Sequence, residues 1–502
     1  MSFRVLFVYP NLSMSAMVPH SIAVLSSVLK QHKFQVDVFD ATHYRGYAPD
    51  SNVWKVKVFN ALPYHYEERG ITYKESDIFD DFRKHVDAIK PDLLAVSFVE
   101  DTYSLGSKLL ASVRDLSIPV VAGGVFCTYA PETVLANPDI DYAIRGEGEV
   151  ALVELCKALS SDAEPFGINN LCYLRDGNIV CNPMNAPLDV NELPAPDYSL
   201  FEEKALYRAM MGKIYRTVAI ELHRGCPYRC TFCNSSANNP FYMTNTGKPF
   251  FRKRSMESFA DELGLMVKQY DPEFIYFISD TFLLMNEEEF NQFYDIYAQY
   301  KIPFFVNTRA ETVQEDRIER LSELNCHRLN VGIEHGNEDF RRNVLKRNVS
   351  DEKIINAIRI VGESDISTVS NNIIGFPGET RKLIFDTINL NRHIEKYCDS
   401  VSCTIFSPYH GTVLRESAVN EGYLNDDVIV DNAANLSSLL EMPFLTKEEI
   451  DGLYRTFSMY VRMEKSKWPM IETAEKFDQQ GEKMYEKLHQ EHMEKYVLCK
   501  EK

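Results

Sequence analysis

The chain has 502 residues, with 45% hydrophobic and 25% charged residues, which excludes wholesale disorder and supplies apolar side chains for about two to four domains. Lys and Arg number 54 against 73 Asp and Glu, a net charge of −19, so the average surface repels phosphate backbones and anionic membranes and argues against nucleic acid as a partner. No apolar run is long enough for an integral membrane segment and Met1–Pro10 lacks a signal-peptide cleavage site, so the 11 cysteines of a chain expected in the cytoplasm point to thiols or metal ligands, not to a disulfide framework.

Residues 1–160 alternate strand and helix signals. RVLFVYP (4–10) is a β-branched and aromatic run, SIAVLSSVLKQH (21–32) puts Ile22, Leu25, Val28 and Leu29 on one helical face, and QVDVFDA (35–41) alternates as a strand. An aromatic, irregular insertion (44–75) follows. Then come helix FDDFRKHVDAIK (79–90), strand DLLAVSFV (92–99), helix LGSKLLASVRDL (105–116), strand IPVVAGGV (118–125) and strand DYAIRGEGE (141–149) with its glycine turn. Such alternation predicts an α/β fold with a doubly wound parallel sheet, whose ligands sit beyond the carboxyl ends of the strands. Residues 161–211, rich in proline and without sustained period, read as a linker.

A second alternating series fills 212–411. Its strand signals are TVAIELHRG, FIYFISD, PFFVNTRAE, RLNVGIEHG, TVSNNIIGFPGE and VSCTIFSPYHG. Six strands with intervening helices predict a partial (β/α)6 barrel. Residues 412–502 are expected to be mainly helical, as in KEEIDGLYRTFSMYVRMEK.

The sharpest chemical signal is RGCPYRCTFCNSS, with Cys226, Cys230 and Cys233 spaced Cys-x3-Cys-x2-Cys after a strand. Thiolates select iron–sulfur clusters or zinc. A cluster normally takes four cysteines, so three in one loop leave one iron open to another ligand. The alternatives are a zinc site completed by His223 and unliganded thiols. Cys398 and Cys403 read as structural thiols. Alternation along TVAIELHRG sets Val218, Ile220 and Leu222 on one face and Ala219, Glu221 and His223 on the other. In a barrel the polar set faces the interior, making Glu221 and His223 substrate-side candidates for orientation or proton transfer.

With Phe232 as its aromatic, the Cys-x3-Cys-x-aromatic-Cys loop resembles the signature of the radical S-adenosylmethionine (SAM) superfamily. The resemblance implies a 4Fe–4S cluster whose open iron chelates SAM, and reductive cleavage of SAM to start radical chemistry, with an electron donor such as a flavodoxin or ferredoxin. Further motifs match in order: ISDTF (278–282) with Ser279 and Asp280, NTRAE (307–311) with Arg309, NVGIEHGNE (330–338) with Glu334, and IIGFPGET (373–380) with Gly375. The resemblance assigns these residues to SAM, although Ser279 stands where many relatives carry an acid. Ser and Asp at a strand end also serve as ordinary helix caps.

Residues 1–160 resemble the α/β domain that binds cobalamin in members of this family. The matching pieces are VYPN (8–11), VSFVEDT (96–102), AGGVFCTYAPE (122–132) and IRGEGE (144–149), which nominate Asn11, Ser97, Gly123, Gly124 and Glu147. Glycines at a strand end let backbone approach a flat macrocycle. The loop after the first strand lacks Asp-x-His-x-x-Gly, so neither His20 nor His43, read as a solvent-facing loop residue, is expected beneath cobalt. The resemblance implies methyl transfer to carbon of a small-molecule or lipid-like substrate. Cyclisation or another rearrangement, methylthiotransfer and a non-enzymatic zinc or corrinoid carrier are the alternatives.

Overall fold

The computed structural model describes residues 3–15, 19–45, 51–431 and 436–497; Gly46, three residues after His43, lies outside them. The first seven strands form one sheet: β1 (Arg4–Tyr9), β2 (Gln35–Asp40), β3 (Leu93–Ser97), β4 (Val120–Gly123), β5 (Tyr142–Ile144), β6 (Leu171–Arg175) and β7 (Asn178–Cys181). Their order is β2-β1-β3-β4-β5-β6-β7. The first five are parallel and separated by helices, as the alternation predicts. Both faces are covered, so Val5, Leu6, Phe7 and Val8 are all buried along one strand.

The supposed linker is partly sheet. β6 and β7 form an antiparallel hairpin on β5, turned by Asp176 and Gly177, both at positive φ. Asp-Gly between two apolar runs is a hairpin signal. Cys172 and Cys181 face each other across this hairpin and are joined by a disulfide, a correction for this pair to the expectation of thiols or metal ligands.

A second sheet follows, from β8 (Tyr207–Met210), β9 (Lys213–Glu221), β12 (Phe274–Ile278), β13 (Phe304–Arg309), β14 (Cys326–Glu334), β15 (Ser367–Ile374) and β16 (Ser400–Ile405), in the order β16-β15-β14-β13-β12-β9-β8. Six are parallel and curve into a half-barrel; β8 adds an antiparallel edge. Short β10 (His223–Arg224) and β11 (Arg252–Lys253) pair apart from it. Ile275, Phe277, Phe304, Val306, Leu329 and Val331 are buried in the main core under the helices. The alternate positions Asn307, Asn330 and Asn371 are only partly buried and line the concave face.

The carboxyl-terminal segment packs as helices Lys447–Arg462, Trp468–Ala474 and Gln479–His492. The first of them lies against β16 at the barrel's open edge. Asn60, from the aromatic insertion, bonds both backbone groups of Cys403 on that edge: its amide donates to the carbonyl at 2.6 Å and its carbonyl accepts at 3.0 Å. Among the described residues no helix is long and apolar enough to cross a membrane.

Candidate functional site

Gly225 turns the chain into the cysteine loop at φ +83, where a Cβ would meet the Phe250 ring at 2.6 Å. The loop is pinned from three sides. Asn239 donates to the Cys226 carbonyl at 2.8 Å, the Thr231 hydroxyl donates to the Val344 carbonyl at 2.8 Å, and the Leu414 amide donates to the Thr231 carbonyl at 3.0 Å. Phe232 packs edge-on against Phe376 beyond β15, with ring centroids 5.7 Å apart. Cys226, Cys230 and Cys233 are free thiols, the first two buried. Burial pushes the Cys226 thiol up to about 11, so it stays protonated until a metal displaces the proton. Among the described residues no three His, Cys, Asp or Glu side chains, these three cysteines included, are gathered around one point that could hold a single metal ion.

Two arginines face the loop. Arg309, ending β13, places Nη1 3.1 Å from Cys230 Sγ, with its guanidinium 3.7 Å over the Tyr228 ring and Nε donating to Glu311. Arg347, absent from the sequence motifs, lies with Nη1 3.8 Å from the same sulfur and 3.7 Å from Glu334 Oε1. Glu334 sits at φ +69, just after a register shift in β14. A non-glycine residue there costs about 1–3 kcal/mol, and such strain concentrates at functional sites. Gly332 makes room for it, since a Cβ would lie 2.3 Å from Glu334 Oε1. Burial raises the Glu334 carboxyl, with Arg347 and Arg309 offsetting part of the rise.

Ser279 is buried and its hydroxyl has no partner, while Asp280 accepts from the Ser235 hydroxyl at 3.1 Å beside Cys226 and Cys233. An orphaned buried hydroxyl beside the thiol loop suits a ligand position. Gly375 differs from expectation. Its Cβ position faces Ile450 at 3.0 Å and its amide donates to Glu379, so its positive φ serves the turn rather than a ligand's approach.

The carboxyl edge of the first sheet borders a cavity of about 360 Å³. Ser97, Gly123, Gly124 and Glu147 line it from one side, and Glu221, Arg224, Asn238 and Ile278 of the second unit line it from the other. A Cβ on Gly123 would meet nothing within 4 Å, so the glycine keeps the cavity open. Gly124, at φ +105, lies against the Phe98 carbonyl, where a Cβ would be 2.2 Å away. Asn11 does not line this cavity: its amide donates to Ser15 and Thr42 and shapes its own loop. His43 is 3% exposed, not solvent-facing, and burial holds it down to about 4. His20 lines the cavity, its Nδ1 3.1 Å from the Tyr198 hydroxyl and its Nε2 3.9 Å from Glu221 Oε2.

Glu147 faces the barrel. Arg224 meets Glu147 at 2.8 Å, Glu149 at 2.7 Å and Glu221 at 3.0 Å, and Arg252 meets Glu147 at 2.8 Å. Burial works against the Glu147 charge, but Arg252 and Arg224 outweigh it and hold the carboxyl below its ordinary 4.5. Glu221 is thus a partner in an ion network at the cavity wall, not a free base. His223 leaves the barrel interior altogether. The strand breaks at Leu222, so the ring sits on β10 against Phe251, buried, with both nitrogens unpaired, and burial lowers it to about 4.

Two family models match parts of the chain. One described as the radical SAM superfamily matches residues 220–390, and one described as a B12 binding domain matches residues 53–156. An uncharacterized methyltransferase, PH0819, of Pyrococcus horikoshii is 28% identical over 76% of this chain and 82% of its own length. The anaerobic magnesium-protoporphyrin IX monomethyl ester cyclase of Rubrivivax gelatinosus is 25% identical over 62% of this chain, which spans 56% of that protein. In fold the chain is similar to the methyltransferase TsrM of Kitasatospora setae with cobalamin and a [4Fe-4S] cluster bound, at TM-score 0.63 and 18% identity over 93% of this chain and 82% of that one. It is likewise similar to the radical enzyme OxsB with aqua-cobalamin and SAM bound, at TM-score 0.65 and 16% identity over 99% and 72%. The chain therefore belongs to the radical SAM superfamily, as a B12-binding member related to the class B methyltransferases, whose cofactors are a 4Fe–4S cluster, SAM and cobalamin.

Proposed function

We propose that this enzyme transfers a methyl group to a carbon atom of a small-molecule or lipid-like substrate. The observation that carries this reading is the shared cavity, whose walls combine Ser97 and Gly123 of the first sheet with Glu221 and Ile278 at the same barrel end as the cysteine loop. When bound, the cluster and SAM supply a radical and cobalamin supplies a carrier for the methyl group. Cys226, Cys230 and Cys233 hold the iron. Glu334 and Asp280 offer acceptors to the SAM ammonium or hydroxyls, the buried Ser279 hydroxyl adds a donor, and Arg309 offers a donor to the SAM carboxylate. Ser97, Gly123 and Gly124 seat the corrin edge, and the Arg224 network holds the two walls of the cavity together. A flavodoxin or ferredoxin supplies the electron.

Anaerobically reconstituted protein given a flavodoxin system and SAM tests this reading against the cyclase alternative. Methyl transfer yields S-adenosylhomocysteine alongside 5′-deoxyadenosine, with label from methyl-labelled SAM leaving the nucleoside pool. Deoxyadenosine alone, with SAM cleaved and no S-adenosylhomocysteine at any cobalamin loading, would sink methyl transfer and favour cyclisation or rearrangement.

The Cys230 sulfur carries its own expectation. An N–H donor and a positive charge at a cluster sulfur favour the reduced, more negative state. Arg309→Gln should lower the cluster's midpoint potential by roughly 60 mV, one tenfold step for one electron. A redox titration followed by electron paramagnetic resonance checks this, and an unchanged potential would place Arg309 away from the cluster.

A further inference from the structure

The concave face of the half-barrel carries a charge that the protein does not answer. Tyr276, Phe305 and Arg328 occupy one register layer across β12, β13 and β14, all directed inward. Arg328 donates from Nε to Asn330 at 3.1 Å and from Nη1 to the Met211 sulfur at 3.2 Å, and among the described residues no carboxylate forms an ion pair with it. Thioether sulfur is a weak acceptor. The buried arginines Arg254, Arg341, Arg347 and Arg455 each reach a carboxylate, whereas among the described residues the partly buried Arg328 does not. Burial drags Arg328 down to about 10, and the neighbouring Arg208 charge adds to that fall against the pull of Asp399. A second guanidinium, Arg208, stacks over the Tyr276 ring at 4.2 Å.

This cluster is reached from a cavity of about 270 Å³ lined by Tyr276, Phe305, Asn330, both arginines and Tyr66 of the aromatic insertion. The Arg328 guanidinium among aromatic rings, in a chain whose net charge is −19, makes a local site for an anion attached to an apolar skeleton. Gly332, the register partner of Arg309, lies four residues above Arg328 on β14. At the rise of a strand that is roughly 13 Å. A molecule anchored on Arg328 therefore has to be elongated to present its far end beside Arg309 and Glu334.

We propose that the substrate is an elongated aromatic or aliphatic acid, carrying a carboxylate or phosphate that Arg328 binds. This rests on the methyl-transfer reading only in treating the barrel's concave face as the substrate side; the anion site is tested by binding alone. The probes are 2-naphthyl phosphate, 2-naphthoate and the neutral 2-naphthamide, titrated by naphthalene fluorescence into the reconstituted full-length enzyme. At least one anionic probe is expected to bind about tenfold or more tightly than the amide. Whichever anion binds better identifies phosphate or carboxylate. That preference should vanish in Arg328→Met and persist, weakened, in Arg328→Lys. Equal binding of all three probes to the wild type, or an undiminished preference in Arg328→Met, overturns the proposal. If the methionine variant does not fold, phenylglyoxal modification of the wild type followed by peptide mass spectrometry decides. Protection of Arg328 by the favoured anion and not by the amide supports the site, and equal modification refutes it. Absence of S-adenosylhomocysteine from the wild-type reaction would instead count against the methyl-transfer reading.

Discussion

Protein with Cys226, Cys230 and Cys233 all replaced by alanine is expected to lose its iron and sulfide, from about four of each per chain to none, together with the charge-transfer absorbance near about 400 nm. Among the described residues the other thiols are buried and cannot substitute. Cys127, Cys156, Cys326, Cys398 and Cys403 are all buried elsewhere in the two units. The fold itself should survive, because the loop is anchored through Asn239, Thr231 and Phe232, none of which is altered. Unchanged far-ultraviolet circular dichroism alongside the lost iron would meet both halves of the expectation. A triple variant that kept its full iron complement would show that the metal is held elsewhere.

Arg224→Met should have the largest effect on stability. The guanidinium sits among Glu147, Glu149 and Glu221, all largely enclosed, and only Glu147 has a second arginine. Removing it leaves buried charges facing one another, a loss of about 3–5 kcal/mol for a broken buried pair. The pH dependence should change sign. In the wild type, burial opposes the Glu147 and Glu221 charges, but the arginines prevail and both carboxyls lie below 4.5. A depressed carboxyl contributes stability that is complete above its unfolded value and fades as pH falls through its folded value, so the wild type weakens below about pH 4.5. Without Arg224, burial and mutual repulsion raise the glutamates, and their protonation then relieves the strain. The variant should gain thermal stability as pH drops from 7 toward about 5. Adding Glu149→Gln should return part of the loss. A variant that melts like the wild type at pH 7 would show the network to be energetically idle.

The six barrel strands and the thiol loop were legible because their signals are local. A β-branched run such as FIYFI announces a buried strand, and three cysteines within eight residues announce a cluster whatever surrounds them. The positions that sequence missed are set by register and by contacts between distant segments. Arg347 reaches Cys230 from 117 residues away, and Arg328 faces the barrel interior only because Phe305 and Tyr276 share its layer. Alternation along TVAIELHRG holds as far as Glu221 and fails at His223 because the strand breaks between them. The hairpin at Asp176-Gly177 did carry a local signal, masked by the prolines that follow it.

The bond between Asn60 and Cys403 has a bearing on biogenesis. An open half-barrel ends in an unpaired strand edge, the kind of surface that recruits other chains. Here the edge is met by a side-chain amide that mimics a strand for one residue, and the amide comes from a segment that leaves the ribosome more than 300 residues earlier. Synthesis thus makes the guard before the edge it protects. A fragment starting at residue 207 would retain every strand of the second sheet and the whole cysteine loop, yet emerge with β16 lacking the Asn60 clasp. Such a fragment should collect in inclusion bodies, and supplying residues 1–206 as a separate chain should draw part of it back into solution.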